Sequence, residues 1–178
     1  MTAEFRPPEA TNLSKDSVFR IAENVAKQVA YKPDCDLHPL IEELGGDVHL
    51  KDFWSEGSRE SGSLEVRARN DFSIFVPVDT SELRDRFTIA HELGHYVLHY
   101  LWQIQVKKKP EFRLRASRYG SDRAEWEANW FASAFLMPSS EFKTLAAKHS
   151  TGHISRHFKV SRQAVEIRAK TLCVDVES

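Results

Sequence analysis

The sequence predicts an α+β fold in which helices come first, a small antiparallel or mixed sheet follows, and further helices complete the chain. Three changes of pattern support this. Apolar residues recur at helical spacing near the start, alternate at strand spacing between residues 48 and 78, and return to helical spacing afterwards. With 178 residues, 41% of them apolar, the chain can bury the core of one domain.

The first elements are predicted to be helices. Ser14–Ala30 carries apolar side chains three and four positions apart, and a shorter helix is expected from Leu37 to Leu44, where Gly45 ends it. Both are expected to serve packing. Residues 1–13 precede these patterns and are expected to be flexible.

Three strands are predicted next, at Val48–Phe53, Ser63–Arg67 and Phe72–Val78, the last two joined by a turn at residues 69–71. Together they predict the small sheet. The strand Phe72–Val78 precedes the longest helix and could pair its edge with an extended substrate. Core packing of its apolar side chains explains the strand equally well.

The longest helix is expected to begin at Asp79, because Asp79 and Glu82 form a capping box, and to continue as an apolar stripe towards Trp102. A second helix, at residues 122–136, is ended by Pro138. Short helices are predicted at 140–148, 152–158 and 161–172. We therefore expect one domain at residues 1–138 and a C-terminal helical subdomain at 139–178, similar to a helix-turn-helix.

The sharpest motif is His91-Glu92-Leu93-Gly94-His95, within the longest predicted helix. Residues four apart on a helix lie on one face about one turn apart, so both imidazoles can share a divalent metal. Glu92 is rotated by roughly 100° from His91 and can face the open coordination position. It is predicted to be the general base that takes a proton from the attacking water.

Gly94 gives this motif additional weight. Glycine inside a helix costs about 1 kcal/mol relative to alanine. Close approach of a strand or a substrate to the helix explains its presence better than helix propensity does.

Two histidines leave a catalytic zinc one protein ligand short, so a third donor is expected on a neighbouring helix. In the second helix, Glu125, Ala128, Asn129 and Ala132 share one face. Glu125 is the predicted third ligand, and the side-chain oxygen of Asn129 is expected to orient a ligand imidazole. Glu127, on another face, remains the alternative ligand, since sequence leaves the phase of a helix open.

Other histidines are weaker candidates. His99 lies about 12 Å from His91 along the helix axis, too far to bind the same metal, and is expected to be structural or to support a ligand histidine. His149, His153 and His157 repeat the spacing of four, but a glycine interrupts them. Solvated histidines are the favoured interpretation, and adventitious metal binding is the alternative.

The order and flanking residues of these motifs resemble those of the ImmA/IrrE family of metallopeptidases. The resemblance covers roughly Leu37 to Leu172 and is strongest in three segments: residues 84–96 (RDRFTIAHELGHY), residues 125–132 (EWEANWFA) and Leu136-Met137-Pro138. That family is similar in fold to gluzincins, so the resemblance implies a zincin-like domain. It also implies metal at His91, His95 and Glu125, and a catalytic base at Glu92.

Members of this family typically cleave helix-turn-helix transcriptional repressors. The resemblance therefore implies a zinc-dependent endopeptidase that performs limited proteolysis of such a regulator and relieves repression of stress or mobile-element genes. Zinc is the expected metal for two histidines and a glutamate, with manganese or iron as cellular alternatives. The rival from another class is a non-catalytic regulator that contains a metal and binds a repressor or DNA.

Charge is informative only locally, since 25 Lys and Arg balance 26 Asp and Glu. Residues 107–118 carry six basic side chains against one acid, which suits an acidic partner, a DNA backbone or a solvated loop. The segment 154–168 resembles a helix-turn-helix, and direct DNA binding through Arg162 and Arg168 is the less favoured possibility.

No apolar stretch reaches the roughly 20 residues of a membrane span, and the start has no apolar signal region. The two cysteines, Cys35 and Cys173, match no metal or disulfide spacing. A cytoplasmic location without a membrane partner is expected.

Overall fold

The sheet is mixed, and its strand order decides where the helices pack. A computed structural model describes residues 4–52, 63–117 and 122–177. Within them, one five-stranded sheet has the order β1-β5-β3-β4-β2. The strands are β1 (Phe5–Arg6), β2 (Gly46–Lys51), β3 (Leu64–Ala68), β4 (Asp71–Pro77) and β5 (Arg113–Ala116). β3 runs antiparallel to β4 and β5, whereas β2 is parallel to β4 and β1 is parallel to β5.

The helices confirm the α+β class. They are α1 (Lys15–Gln28), α2 (Leu37–Glu43), α3 (Glu82–Gly94), α4 (Trp102–Gln105), α5 (Arg123–Leu136), α6 (Ser139–Ala146), α7 (Thr151–Phe158) and α8 (Arg162–Leu172). Between α3 and α4, His95–Leu101 continues the same rod as a π-helix, a wider turn that is frequent at functional sites. None of the helices in the described ranges has the length and apolar character that crossing a membrane requires.

The start of α3 differs from the prediction. Ser81, not Asp79, is the N-cap, and its hydroxyl oxygen accepts a hydrogen bond from the Arg84 amide. The Thr80 hydroxyl donates to the Pro77 carbonyl at 3.2 Å and closes a turn between strand and helix, which delays the helix by two residues.

Two short strands, β1 and β5, were not predicted from the sequence. β5 lies inside the stretch taken as a polar connection, where Leu114 and Ala116 are buried and alternate with arginines. β1 lies within residues 1–13, which were expected to be flexible. Residues 4–13 instead make fixed contacts: β1 pairs with β5, and the amides of Thr11 and Asn12 bond to α5. Strands of two and four residues are too short for a periodic pattern to stand out.

β4 offers no open edge to a substrate, so that expectation is wrong. It lies between β3 and β2, and β2 pairs with it along the full length from Gly46 to Lys51. At one end of this pair of strands, the loops at Gly45 and Asn70 approach closely. Gly45 has φ 82°, and a Cβ there would lie 2.3 Å from the Asn70 carbonyl oxygen. The end of the predicted strand Val48–Phe53 falls partly outside the described residues.

A buried arginine joins the C-terminal helices to the rest of the molecule. Arg168 on α8 is fully buried, and its guanidinium donates to the Met137 carbonyl at 3.1 Å and to the Ser139 hydroxyl at 3.0 Å. Glu23 on α1 lies 3.4 Å from the same guanidinium. Arg168 is therefore a packing residue, and the expectation that it could contact DNA is wrong.

Candidate metal centre

Three predicted ligands meet where α3 packs against α5. His91 Nε2 lies 3.1 Å from Glu125 Oε2, and His95 Nε2 lies 3.1 Å from Glu125 Oε1. The two Nε2 atoms are 3.2 Å apart. Within the described part of the chain, this is the one group of three or more His, Cys, Asp or Glu residues arranged to hold a metal.

Small residues allow this approach of the two helices. A Cβ on Gly94 would lie 3.1 Å from the Phe131 Cβ and 3.2 Å from the backbone of Ala128, tighter than ordinary contacts. A close neighbour was predicted at Gly94, and the structure has one. It is helix α5, and not the strand or substrate that the sequence suggested. The shared face of α5 is buried at Ala128 and Ala132, so Glu125 reaches across to the histidines.

The donor set fits a divalent metal. Two imidazole nitrogens and a carboxylate form the usual protein ligands of a catalytic zinc, with one position left open. Zinc–nitrogen bonds of about 2.0–2.1 Å in a tetrahedron put ligand atoms roughly 3.3 Å apart. The observed separations of 3.1 to 3.2 Å therefore need little movement to close around an ion.

Electrostatics prepare two of these three groups, Glu125 and His95, for a cation. Burial raises the pKa of Glu125, but hydrogen bonds and charge from His91 and His95 outweigh it and hold the pKa far below its usual range. Burial lowers the pKa of His95 to about 4. Burial also lowers the pKa of His91, yet Glu125, Glu92 and Asn129 together raise it above the ordinary value. At neutral pH Glu125 is therefore ionised and His95 is neutral, which are the states in which they can bind a metal.

Glu92 is placed beside the cluster without joining it. Its side chain is only 3% exposed, and its charge is among the causes that raise the pKa of His91. A buried carboxylate next to the ligands is well situated to exchange protons with a substrate group.

Asn129 holds one imidazole in place. Its Oδ1 lies 3.0 Å from His91 Nδ1, and an amide oxygen can only accept, so His91 Nδ1 carries the hydrogen. Nε2, the atom that faces the cluster, is then the His91 nitrogen that can give up its hydrogen to a metal.

Glu127, the alternative ligand, lies away from the cluster in the interior. Its side chain is completely buried and bonded to the Thr11 amide at 2.9 Å, the Asn12 amide at 2.9 Å and Arg123 at 3.2 Å. His99 Nε2 lies 3.1 Å from Glu127, and His99 Nδ1 lies 2.9 Å from His95 Nδ1. The spacing of four residues was a signal for the contact between His95 and His99, but no sequence pattern identified Glu127 as the partner of His99.

Part of the positive charge of the basic segment 107–118 is paired with acids and an aromatic ring of the same chain at the protein surface. Lys109 pairs with Glu9 at 2.7 Å, and Arg115 pairs with Glu65 at 3.0 Å. Arg113 and Arg115 also stack over the Phe5 ring at 4.0 and 4.2 Å. Arg118 lies outside the described residues. These contacts weaken the argument for a DNA or acidic partner at this segment.

Within the described residues, the C-terminal histidines form no second metal centre. His149 and His153 stack with ring centroids 4.0 Å apart, and His157 pairs with Glu141 at 2.6 Å. Within the described residues they gather no third ligand, so the interpretation as surface histidines stands.

Comparison with known proteins supports the fold and the class of site. A family model described as an IrrE N-terminal-like domain, of a peptidase family, matches residues 41–170. The chain is also similar to a solved Mycobacterium tuberculosis transcriptional regulator, with 19% identity and a TM-score of 0.58. That alignment covers 86% of this chain and 46% of the other, so the chain spans about half the length of that structure. No curated protein sequence matches. Since the family model covers most of its length, the chain belongs to the ImmA/IrrE family of peptidases.

Proposed function

We propose that the protein is a metal-dependent endopeptidase of zincin-like fold that makes a limited cut in a protein regulator of transcription. The observation that carries this is the meeting of His91, His95 and Glu125 within hydrogen-bond distance of one another, with the buried Glu92 on the next helical position. A metal site for folding alone needs the three ligands and has no use for Glu92.

The roles follow from the geometry of each side chain. His91, His95 and Glu125 would hold the metal, and zinc suits this set best, with manganese or iron as alternatives in a cell. A divalent metal bound there supplies Lewis acidity, which makes water a usable nucleophile near pH 7 and polarises a carbonyl. Asn129 keeps His91 in the tautomer that presents Nε2.

Glu92 would move the proton. As the water oxygen attacks the carbonyl carbon of the scissile bond, a carboxylate oxygen of Glu92 takes the proton. Glu92 then gives it to the nitrogen as the carbon–nitrogen bond breaks, so the amine leaves neutral. Burial of Glu92 excludes bulk water from this exchange.

The substrate proposal rests on two supports. The family is a peptidase family, and the similar solved structure is a transcriptional regulator. A helix-turn-helix repressor is the regulator that the family resemblance favours, and its cleavage would relieve repression.

The test is to incubate the zinc-loaded protein with a helix-turn-helix repressor encoded beside its gene, and to compare wild type with Glu92→Gln by gel and mass spectrometry. Wild type is expected to make a discrete cut, and the variant to cut about 10²–10⁴-fold more slowly while binding zinc equally. Equal binding of the repressor by both proteins with no cut by either would instead support a non-catalytic regulator.

A further inference from the structure

The second ligand histidine makes a buried contact that the proposed chemistry does not use. His95 Nδ1 lies 2.9 Å from His99 Nδ1, and His99 Nε2 lies 3.1 Å from Glu127 Oε2. His99 and Glu127 are both fully shielded from solvent. Two histidine rings and a carboxylate thus form a continuous chain of contacts behind the metal centre.

The far end of this line fixes the direction of every hydrogen bond in it. Glu127 Oε2 receives the Thr11 amide at 2.9 Å and the Thr11 hydroxyl at 2.8 Å. Its Oε1 receives the Asn12 amide at 2.9 Å and Arg123 Nε at 3.2 Å. A carboxylate that accepts from so many donors is ionised and can only accept, so His99 Nε2 must carry a hydrogen.

With its hydrogen on Nε2, the His99 ring has its lone pair on Nδ1, the atom that faces His95. His95 Nε2 is the atom 3.1 Å from Glu125 in the metal cluster. A metal held at that nitrogen leaves the hydrogen of the His95 ring on Nδ1, so His95 Nδ1 donates to His99 Nδ1.

We propose that His99 and Glu127 are positioning residues that set the tautomer and ring orientation of His95, with Thr11 and Asn12 anchoring the outer end of the relay. Because it concerns the strength of the metal site, the inference rests on the proposed function. His91 is oriented by the side-chain amide of the exposed Asn129. His95 is oriented by the buried relay of His99 and Glu127, which extends to the segment before α1.

His99 follows His95 by four positions, so the two side chains are neighbours on one face of the helical rod. The rod is π-helical from His95 to Leu101, and the two ring centroids are 5.0 Å apart with planes at 51°. The two Nδ1 atoms face each other at 2.9 Å.

The first experiment compares zinc affinity, by competition with a chromophoric chelator, in wild type, His99→Leu, His99→Asn and Tyr100→Phe. Leucine removes the acceptor for His95, and we expect about a 10–100-fold weaker affinity. Asparagine can place an oxygen near the former Nδ1, so it should recover most of the loss. Tyr100 neighbours His99, is buried, and its hydroxyl has no hydrogen-bond partner within the described residues, so Tyr100→Phe should bind zinc as wild type does.

A measurement on the unmutated protein protects the test from misfolded variants. In zinc-loaded protein with ¹⁵N-labelled histidine, two-bond proton–nitrogen spectra report which ring nitrogen carries hydrogen. We expect hydrogen on Nδ1 of His95 and on Nε2 of His99, assigned by comparison with His99→Asn. Hydrogen on Nδ1 of His99, or unchanged zinc affinity in folded His99→Leu, would overturn the relay.

These outcomes separate the relay from the proposed peptidase. If wild type binds zinc, the tautomers are as expected and Glu92→Gln cuts as fast as wild type, the relay stands and the catalytic proposal fails. If wild type cuts its substrate but His99→Leu folds and binds zinc normally, the peptidase stands and the relay fails.

Discussion

Two clusters of buried charge, one around Glu127 on α5 and one around Arg168 on α8, differ in what they hold. Around Glu127, a carboxylate gathers donors from the segment before α1, from α5 and from His99. Around Arg168, a guanidinium gathers acceptors from α1 and from the junction of α5 and α6. Both close distant parts of the chain onto the core, but only the first touches a predicted metal ligand through a further residue.

The difference shows that a buried charge has no single function. Arg168 is stacked over Phe19 at 4.5 Å and meets neutral carbonyl and hydroxyl oxygens as well as Glu23, so its work is to dock α8. Burial lowers the pKa of Arg168 to about 10, because desolvation disfavours the charged guanidinium. Glu127 stabilises the fold too, but its position also decides a hydrogen bond at the metal centre.

The largest expected effect is on the Arg168 cluster. Arg168→Met leaves the Met137 carbonyl without its donor and Glu23 without its buried cation, although the Ser139 amide and hydroxyl still donate to Glu23. It should lower the free energy of unfolding by about 3–5 kcal/mol. Zinc affinity of the folded fraction should stay within a factor of two. Urea unfolding and chelator competition measure the two quantities, and a variant that loses zinc as strongly as His99→Leu would erase the contrast between the clusters.

The second prediction concerns pH and Glu127. Burial raises the pKa of Glu127, but the donors from His99, Thr11 and Arg123 outweigh it and lower the pKa to about 2. Since the folded-state pKa is depressed, the stabilisation is complete above the unfolded pKa of about 4.3 and is lost as the pH falls towards 2. Wild type should therefore lose about 3 kcal/mol over this window relative to Glu127→Gln.

Urea unfolding of the metal-free proteins between pH 6 and pH 2.5 checks this. Glu127→Gln is the reference for wild type, because all the other carboxylates titrate in both proteins and their contributions cancel. Parallel stability curves for the two proteins would show that Glu127 is not held ionised by its neighbours.

Gly94→Ala tests the packing beneath the cluster, with a smaller effect on stability. The added Cβ meets the Phe131 Cβ and the Ala128 backbone at 3.1 and 3.2 Å, which costs about 1–3 kcal/mol and is offset by about 1 kcal/mol of helix propensity. Because α5 must move away, Glu125 recedes from the histidines and zinc binding should weaken about tenfold. Thermal unfolding measures the stability and chelator competition measures the zinc affinity. Ala134→Gly, on the partner helix α5, is a control expected to leave the cluster in place.

Thr11→Val is the mildest change. It removes the hydroxyl that donates to Glu127 and accepts from the Leu13 amide, but keeps the Thr11 and Asn12 amide bonds, so it should cost about 1 kcal/mol of stability. Zinc affinity should fall by less than threefold, with Thr11→Ser at the wild-type value in the same competition assay. A loss as large as that of His99→Leu would mean that Thr11 acts on the metal centre by another path.

The spacing of residues along the chain was enough to predict most of the helices and the metal-binding face. Helical spacing located α1, α3, α5 and the short C-terminal helices, and the spacing of His91 and His95 made them a pair on one face. Helix phase then favoured Glu125 over Glu127, and the structure brings Glu125 to the histidines. These features depend on neighbours within one or two turns, which the order of residues states directly.

Contacts between distant segments were decided only by the tertiary structure. The short strands β1 and β5, the pairing that closes the edge of β4, the burial of Arg168 and the partner of His99 all join residues far apart in the chain. The Thr11–Glu127 bond spans 116 positions, and many residues could have supplied either side of it. Periodicity shows which face of an element is buried, but only the packed molecule shows what that face meets, because hydrogen bonds and close approach depend on distance in space and not on separation along the chain.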